Sequence, residues 1–247
     1  MYIIFDLDDT VLNCYSKIDD FTLCTLRYFQ NKGHKLVINT ARSLRNTLEL
    51  INIIKPDYSI LYGGSMIVDK NKEIIFSSPI KKNTLNLVIK DIINDVKAIS
   101  VETKDEIFTS DESYNAPYFD FKNKEFNEDA YKLLFCVIDD GLITKICDKY
   151  NLNSVTYRNL IWHRFMPKNT SKFLGIVNLL KLTNGSLDEC ITFGDDYGDI
   201  EMINNSKVGV IMKNAYDDVK KQIKGYECDT NNNYGVARFL LNYLKER

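Results

Sequence analysis

The stretch IIFDLDDTVL, residues 3–12, limits the fold more than any other part of this sequence. Ile3, Ile4 and Phe5 form an unbroken apolar run, the pattern of a strand buried on both faces. The run stops at Asp6, and Asp8 and Asp9 follow. Two unit charges about 4 Å apart repel by roughly 1 kcal/mol in water and roughly 4 kcal/mol at an effective dielectric near 20. A core strand that ends in three carboxylates therefore calls for something cationic among them.

The residues that follow alternate helix and strand. The spacing predicts a helix over about 20–32, stopped by Gly33, then a strand in KLVIN (35–39). A second helix over about 43–54 carries Leu44, Leu48, Ile51 and Ile54, and Pro56 precedes a strand in YSILY (58–62). Short apolar strands separated by helices indicate a doubly wound parallel sheet. The last third returns to this pattern. A helix is expected over about 170–182, strands in CITF (190–193) and KVGVIM (207–212), a short helix from IEMINN, and helices over about 214–223 and 234–246.

The middle is different. TLNLVIKDIINDV (84–96) places Leu85, Val88, Ile89, Ile92, Ile93 and Val96 on one helical face. Strand patterns follow in AISVE, EIFTS and YKLLFCVI, then a helix over about 140–150 and strands in SVTYR and LIWHRF. The chain thus reads as an α/β protein: a Rossmann-like core of residues 1–79 and 166–247, with an α+β cap of residues 80–165 inserted in it.

Its 247 residues, 45% hydrophobic, supply a real core. A net charge of −2 excludes an electrostatic case for nucleic acid or an anionic membrane, and Lys81-Lys82 and Lys220-Lys221 are only pairs. The six cysteines have no metal-ligand spacing, which suits reduced packing residues. A strand pattern already under way at residue 3 leaves no signal peptide before it, and no apolar run reaches the length of a membrane span, so a cytoplasmic location is expected. Nothing in the sequence states the oligomeric state.

Ligands of an open parallel sheet sit beyond the carboxyl ends of its strands. Those positions hold Asp6 and Asp8 after the first strand, Asn39, Thr40 and Arg42 after the second, and Gly194, Asp195, Asp196 and Asp199 after the strand ending at Phe193. Lys172 opens the preceding helix. Carboxylates, carbonyls and water suit Mg2+, a hard octahedral ion.

These stretches resemble the four motifs of the haloacid dehalogenase-like hydrolases, specifically the Cof-type phosphatases. FDLDDT is similar to the Asp-x-Asp-x-Thr first motif, NTARS to the second, NTSK to the third and GDDYGD to the fourth. NNNYGVARFL resembles the late Asn-x-x-Gly-Val-Ala segment. Thr40 and Lys172 stand far enough apart to admit the large cap of that branch. The resemblance implies a magnesium-dependent phosphatase acting on a small phosphorylated metabolite, such as a sugar phosphate or nucleotide-type phosphate. Asp6 would be the nucleophile that becomes an aspartyl-phosphate, and Asp8 the acid and base. Thr40, Arg42 and Lys172 would bind the phosphoryl group. The Asp6 carboxylate, the Asp8 carbonyl and Asp195 would hold magnesium, with Asp199 or Asp196 nearby. An Asp at position 8 favours a phosphate substrate over a haloacid or phosphonate.

Asp9 reads as a turn residue, His34 and His163 as structural or exposed, and Trp162, Phe165 and Met166 as packing. Arg158, His163 and Arg164 are the cap candidates for meeting the substrate. Gly198 and Gly63 depart from the family, which usually has Asn at each; a looser metal site is the consequence expected of Gly198. These departures support a second reading, a catalytically silent phospho-ligand-binding protein. A receiver-like phosphoacceptor domain is a third, disfavoured because those domains are about half as long and carry their acceptor after a later strand.

Overall fold

The central apolar runs become a parallel sheet because helices bury both of their faces. The protein's structure, a computed structural model, describes residues 1–111, 116–136, 140–156 and 162–245. The first five elements are β1 (Tyr2–Phe5), α1 (Asp20–Asn31), β2 (Lys35–Asn39), α2 (Leu44–Ile54) and β3 (Tyr58–Leu61). Asp19 caps α1 by accepting from the Thr22 N–H at 2.8 Å, and Gly33 follows its end with φ 91°. A hairpin of β4 (Met66–Asp69) and β5 (Ile74–Ser77) comes next.

The inserted segment contains α3 (Lys82–Ile92), β6 (Ala98–Glu102), β7 (Ile107–Thr109), β8 (Lys132–Cys136), α4 (Asp140–Tyr150), β9 (Leu152–Thr156) and β10 (Trp162–Pro167). The chain then forms α5 (Lys172–Thr183), β11 (Cys190–Gly194), α6 (Ile200–Asn205), β12 (Val208–Met212), α7 (Asp217–Lys220), β13 (Tyr226–Cys228) and α8 (Gly235–Lys245).

Two compact units result. One comprises Met1–Arg42, Asn46–Phe76 and Ser171–Arg247, the other Ser43–Arg45 and Ser77–Thr170. The main sheet has the order β13-β12-β11-β1-β2-β3-β4-β5, with parallel pairing from β13 to β3 and an antiparallel β3–β4 pair. Alternate residues of each strand face opposite layers. Ile4, Val37, Ile60 and Ile211 pack with Ile176 and Leu179 of α5 and Met202 and Ile203 of α6. Phe193, in register with Phe5, faces the other way and meets Phe239 of α8 edge-on at 5.6 Å.

The second unit has an antiparallel sheet of order β7-β6-β8-β10-β9. Leu85, Val88, Ile89 and Ile92 of α3 and Ile143 and Ile146 of α4 share one core with Ile99, Val101, Leu133, Phe135 and Phe165. The α/β class with an added α+β segment is thus the observed architecture. The sequence boundary at 165/166 falls inside β10, whose pairing with β9 runs on to Pro167. Contacts divide the chain after Thr170 instead.

Several elements differ from expectation. The helix expected over 84–96 ends at Ile92, although Ile93 and Val96 still pack on the same core. An apolar face extends past the last helical turn because the following turn stays on the core surface. The helix expected over 214–223 is reduced to the four residues of α7. The hairpin β4–β5 and the strand β13 carry no equivalent in the sequence reading.

Candidate active site

The chain builds β1, β2 and β3 outward on one side and returns to β11, β12 and β13 on the other. Strand order therefore reverses between β1 and β11, the switch point at which such sheets open a crevice. Phe5 pairs with Phe193, so Asp6 leaves β1 beside Gly194 and one residue short of Asp195. The Asp6 N–H continues the ladder by donating to the Phe193 carbonyl at 3.1 Å.

Lys172 enters from α5. Its Nζ lies 2.9 Å from Asp6 Oδ2 and 2.7 Å from Asp199 Oδ1, and all three side chains are buried. Ser171 caps the helix by accepting from the Leu174 N–H at 3.1 Å. Asn39 donates from Nδ2 to the Lys172 carbonyl at 3.0 Å, which ties the start of α5 to the end of β2. Gly64, at φ 105°, lets the chain after β3 pass against this turn: a Cβ there would stand 2.1 Å from the Ser171 carbonyl oxygen.

Asp199 uses both oxygens. Oδ1 takes Lys172, and Oδ2 accepts from the N–H groups of Asp195 at 3.1 Å and Asp196 at 3.2 Å. Gly194 makes the room, since a Cβ there would lie 2.4 Å from the Asp199 side chain. Asp196 spends its own carboxylate on the Tyr197 N–H at 2.7 Å. Asp195 accepts from the Thr10 hydroxyl at 2.8 Å.

Among the described residues, Asp6, Asp195 and Asp199 have carboxylate oxygens within 4.8 Å of one another. Burial pushes Asp6 up to about 7; Lys172 opposes the rise and Asp199 adds to it. Burial, then the charges of Asp199 and Asp6, push Asp195 up to about 8 against the hydrogen bond from Thr10. Burial pulls the Lys172 ammonium down, but Asp199 and Asp6 outweigh it and hold the proton more tightly than in an ordinary lysine. Three carboxylates face one ammonium, and Asp6 Oδ1 is buried with no protein donor. Such oxygen-only donors with an uncompensated negative charge fit magnesium.

Asp8 sits apart from this buried group. Its side chain is 52% exposed and is gripped by Arg42, with Nε donating to Oδ2 at 2.8 Å and Nη2 donating to Oδ1. Arg42, expected to meet substrate, is thus committed to Asp8. Thr40 is buried; its hydroxyl accepts from the Arg42 N–H at 3.2 Å and keeps its own hydrogen to donate. Asp9 turns the chain at φ 53°, as its residue type suggested. A Cβ on Gly198 would meet nothing closer than Lys172 Cε at 4.0 Å, and its backbone is outside the left-handed region.

In the second unit, the β8–β10 register places His163 opposite Phe135 and Arg164 opposite Leu134, which itself pairs with Ser100. His163 therefore faces the helix-covered core, where the Thr156 hydroxyl lies 3.1 Å from its Nδ1. Arg164 lies on the opposite face with Ser100. Arg158 lies outside the described residues.

Sequence reasoning placed Thr10 in the first motif and Asn39 at a strand end but gave neither a role; their bonds to Asp195 and to the Lys172 carbonyl are what it missed. Each stands within a stretch already singled out, but its partner lies more than a hundred residues away in the chain.

The chain is similar to a protein of Buchnera aphidicola named "Putative phosphatase", 26% identical over 260 residues, with 97% of this chain and 96% of that one covered. It is 23% identical over 247 residues to the 5-amino-6-(5-phospho-D-ribitylamino)uracil phosphatase YcsE of Bacillus subtilis, covering 98% and 95%. Its fold matches that of a subclass IIB sugar phosphatase of the haloacid dehalogenase superfamily, with a TM-score of 0.78 at 20% identity and 98% of both chains covered. All six cysteines are free, and no described helix is long and apolar enough to cross a membrane. The haloacid dehalogenase-like hydrolase family itself matches from residue 3 to residue 240, through β1, the large insert and α8, and the chain belongs to that family as a Cof-type member.

Proposed function

We propose that this hydrolase is a magnesium-dependent phosphatase that cleaves a small phosphorylated metabolite through an aspartyl-phosphate on Asp6. The observation that carries this reading is the state of Asp6: buried at the switch point, with one oxygen on Lys172 and the other without a protein donor. The names of the two relatives, both phosphatases, support it.

Asp6, Asp195 and the Asp8 carbonyl would hold the magnesium ion. Asp199 instead anchors Lys172 and the loop between Asp195 and Asp196. The bound cation supplies charge neutralisation for the phosphoryl oxygens and keeps Asp6 ionised. The Asp6 carboxylate attacks phosphorus as the bond to the leaving oxygen breaks, and Asp8 gives that oxygen its proton. Asp8, now a base, takes a proton from water; the water oxygen bonds to phosphorus and frees Asp6. Lys172 and the Thr40 hydroxyl bind phosphoryl oxygens, and Arg42 orients Asp8. Positioning and charge stabilisation carry most of such a reaction. The unit containing Ser77–Thr170 acts as the cap that selects the leaving group.

Hydrolysis of p-nitrophenyl phosphate tests this. Turnover with magnesium, loss of it in EDTA and recovery on adding magnesium back are expected. Turnover that EDTA leaves unchanged refutes the metal requirement. A folded, magnesium-loaded protein inert toward a full panel of phosphate esters supports the silent binding protein instead.

A further inference from the structure

The tail segment NNNYGVARFL takes no part in the reaction described above. It forms a tight turn before and into α8. Tyr234 adopts φ 60°, and a Cβ on Gly235 would lie 2.0 Å from the Asp229 carbonyl oxygen. The Asn233 and Gly235 N–H groups both donate to the Thr230 carbonyl at 3.0 Å. This turn presents Asn231, a buried side chain, toward the interior.

Two side-chain amides run from there to the loop that carries Asp8. Asn231 Nδ2 donates to the Leu12 carbonyl at 2.8 Å. The Asn231 N–H donates to Asn214 Oδ1 at 3.0 Å, and Asn214 Nδ2 donates to the Asp9 carbonyl at 2.8 Å. The chain of bonds fixes the amide orientation of Asn214, whose oxygen must face an N–H and whose nitrogen must face a carbonyl. The loop has need of such support. Asp9 stands at φ 53° and ψ 10°, a region that non-glycine residues seldom occupy. The peptide between Asp8 and Asp9 rotates with Asp8 ψ and Asp9 φ. The Asp9 carbonyl belongs to the following peptide, so holding it sets Asp9 ψ, and holding the Leu12 carbonyl as well pins the course of the loop from which the Asp8 side chain leaves the backbone.

We propose that Asn214 and Asn231 are positioning residues of the reaction, keeping Asp8 where it can deliver its proton to the leaving oxygen; this rests on the phosphatase reading above. Displacement of a reacting group by about 1 Å can cost about a hundredfold in rate. The loss should fall hardest on alcohols that leave poorly, because they depend most on proton donation.

The test uses Asn214→Ala and Asn231→Ala in the full chain with saturating magnesium. Asn214 is exposed, so its variant should fold, and it decides alone if Asn231→Ala does not. The kcat is measured on p-nitrophenyl phosphate and on an alkyl phosphate that the parent hydrolyses. The fall on the alkyl ester should exceed that on the nitrophenyl ester by about tenfold or more, with KM little changed. That excess should vanish in an Asp8→Asn background. Equal falls on both esters, no fall, or an excess that persists without Asp8 overturns the inference and leaves the phosphatase reading standing. A parent inert on all phosphate esters overturns that reading, and the inference falls with it.

Discussion

Asp195 is a buried carboxyl that Lys172 does not reach directly, and its hydrogen bond from Thr10 offsets only part of the cost of burying its charge. Its pKa stands at about 8 against 3.8 for the free group. Folding of the metal-free protein therefore binds protons between those values. The stability associated with the protonated form is fully present below about pH 4 and is lost as pH rises through about 8. Asp195→Asn removes the charge while keeping the shape. In EDTA the variant should match the parent near pH 4, and melt at least about 5 °C higher at pH 8, given about 2–4 °C per kcal/mol for a chain of this size. Magnesium should stabilise the parent at pH 8 and leave the variant's Tm and turnover much less affected. A variant that melts below the parent at pH 8 in EDTA contradicts the assignment of Asp195 as a charge held for a cation.

At the scale of elements, the approach of the β3–β4 turn to α5 places Lys172. Tyr62, Gly63 and Gly64 all have positive φ, and Gly64 admits no side chain against Ser171. Gly64→Ala should lower stability by more than about 2 kcal/mol, shift the first turn of α5 and reduce turnover. Gly33 has φ 91° with nothing within 4 Å of a new Cβ, so Gly33→Ala should cost only about 1–2 kcal/mol and spare activity. Thermal melts and p-nitrophenyl phosphate turnover distinguish the two; equal effects would remove the steric argument. Elements that announce themselves in sequence are those with long periodic faces, such as α1 and α2, or strands that end in charge, such as β1 and β11. The hairpin β4–β5 does not, because it follows β3 without an intervening helix and adds antiparallel strands where the alternation of strand and helix stops. Asp6 and Asp195 were legible as strand-end carboxylates. The bond from Thr10 to Asp195 and that from Asn39 to Lys172 were not, because only folding brings those distant segments together.

For the whole molecule, the unit built on the main sheet carries every proposed reacting group, and the Ser77–Thr170 segment has its own core. Closing a site against water and choosing among leaving groups are tasks suited to such an insert. Replacing Ser77–Thr170 by a short linker should leave a folded core that hydrolyses p-nitrophenyl phosphate but discriminates poorly across a panel of phosphorylated metabolites. Unchanged discrimination would assign specificity to the core. The central claim is that Asp6 bonds to phosphorus, and trapping the intermediate tests it most directly. The protein is quenched in acid during turnover with magnesium, and its peptides are analysed by mass. The account predicts a phosphoryl group on Asp6, absent in EDTA and in Asp6→Asn. Sustained turnover by a verified Asp6→Asn protein, or a phosphoryl group on another residue, would contradict it.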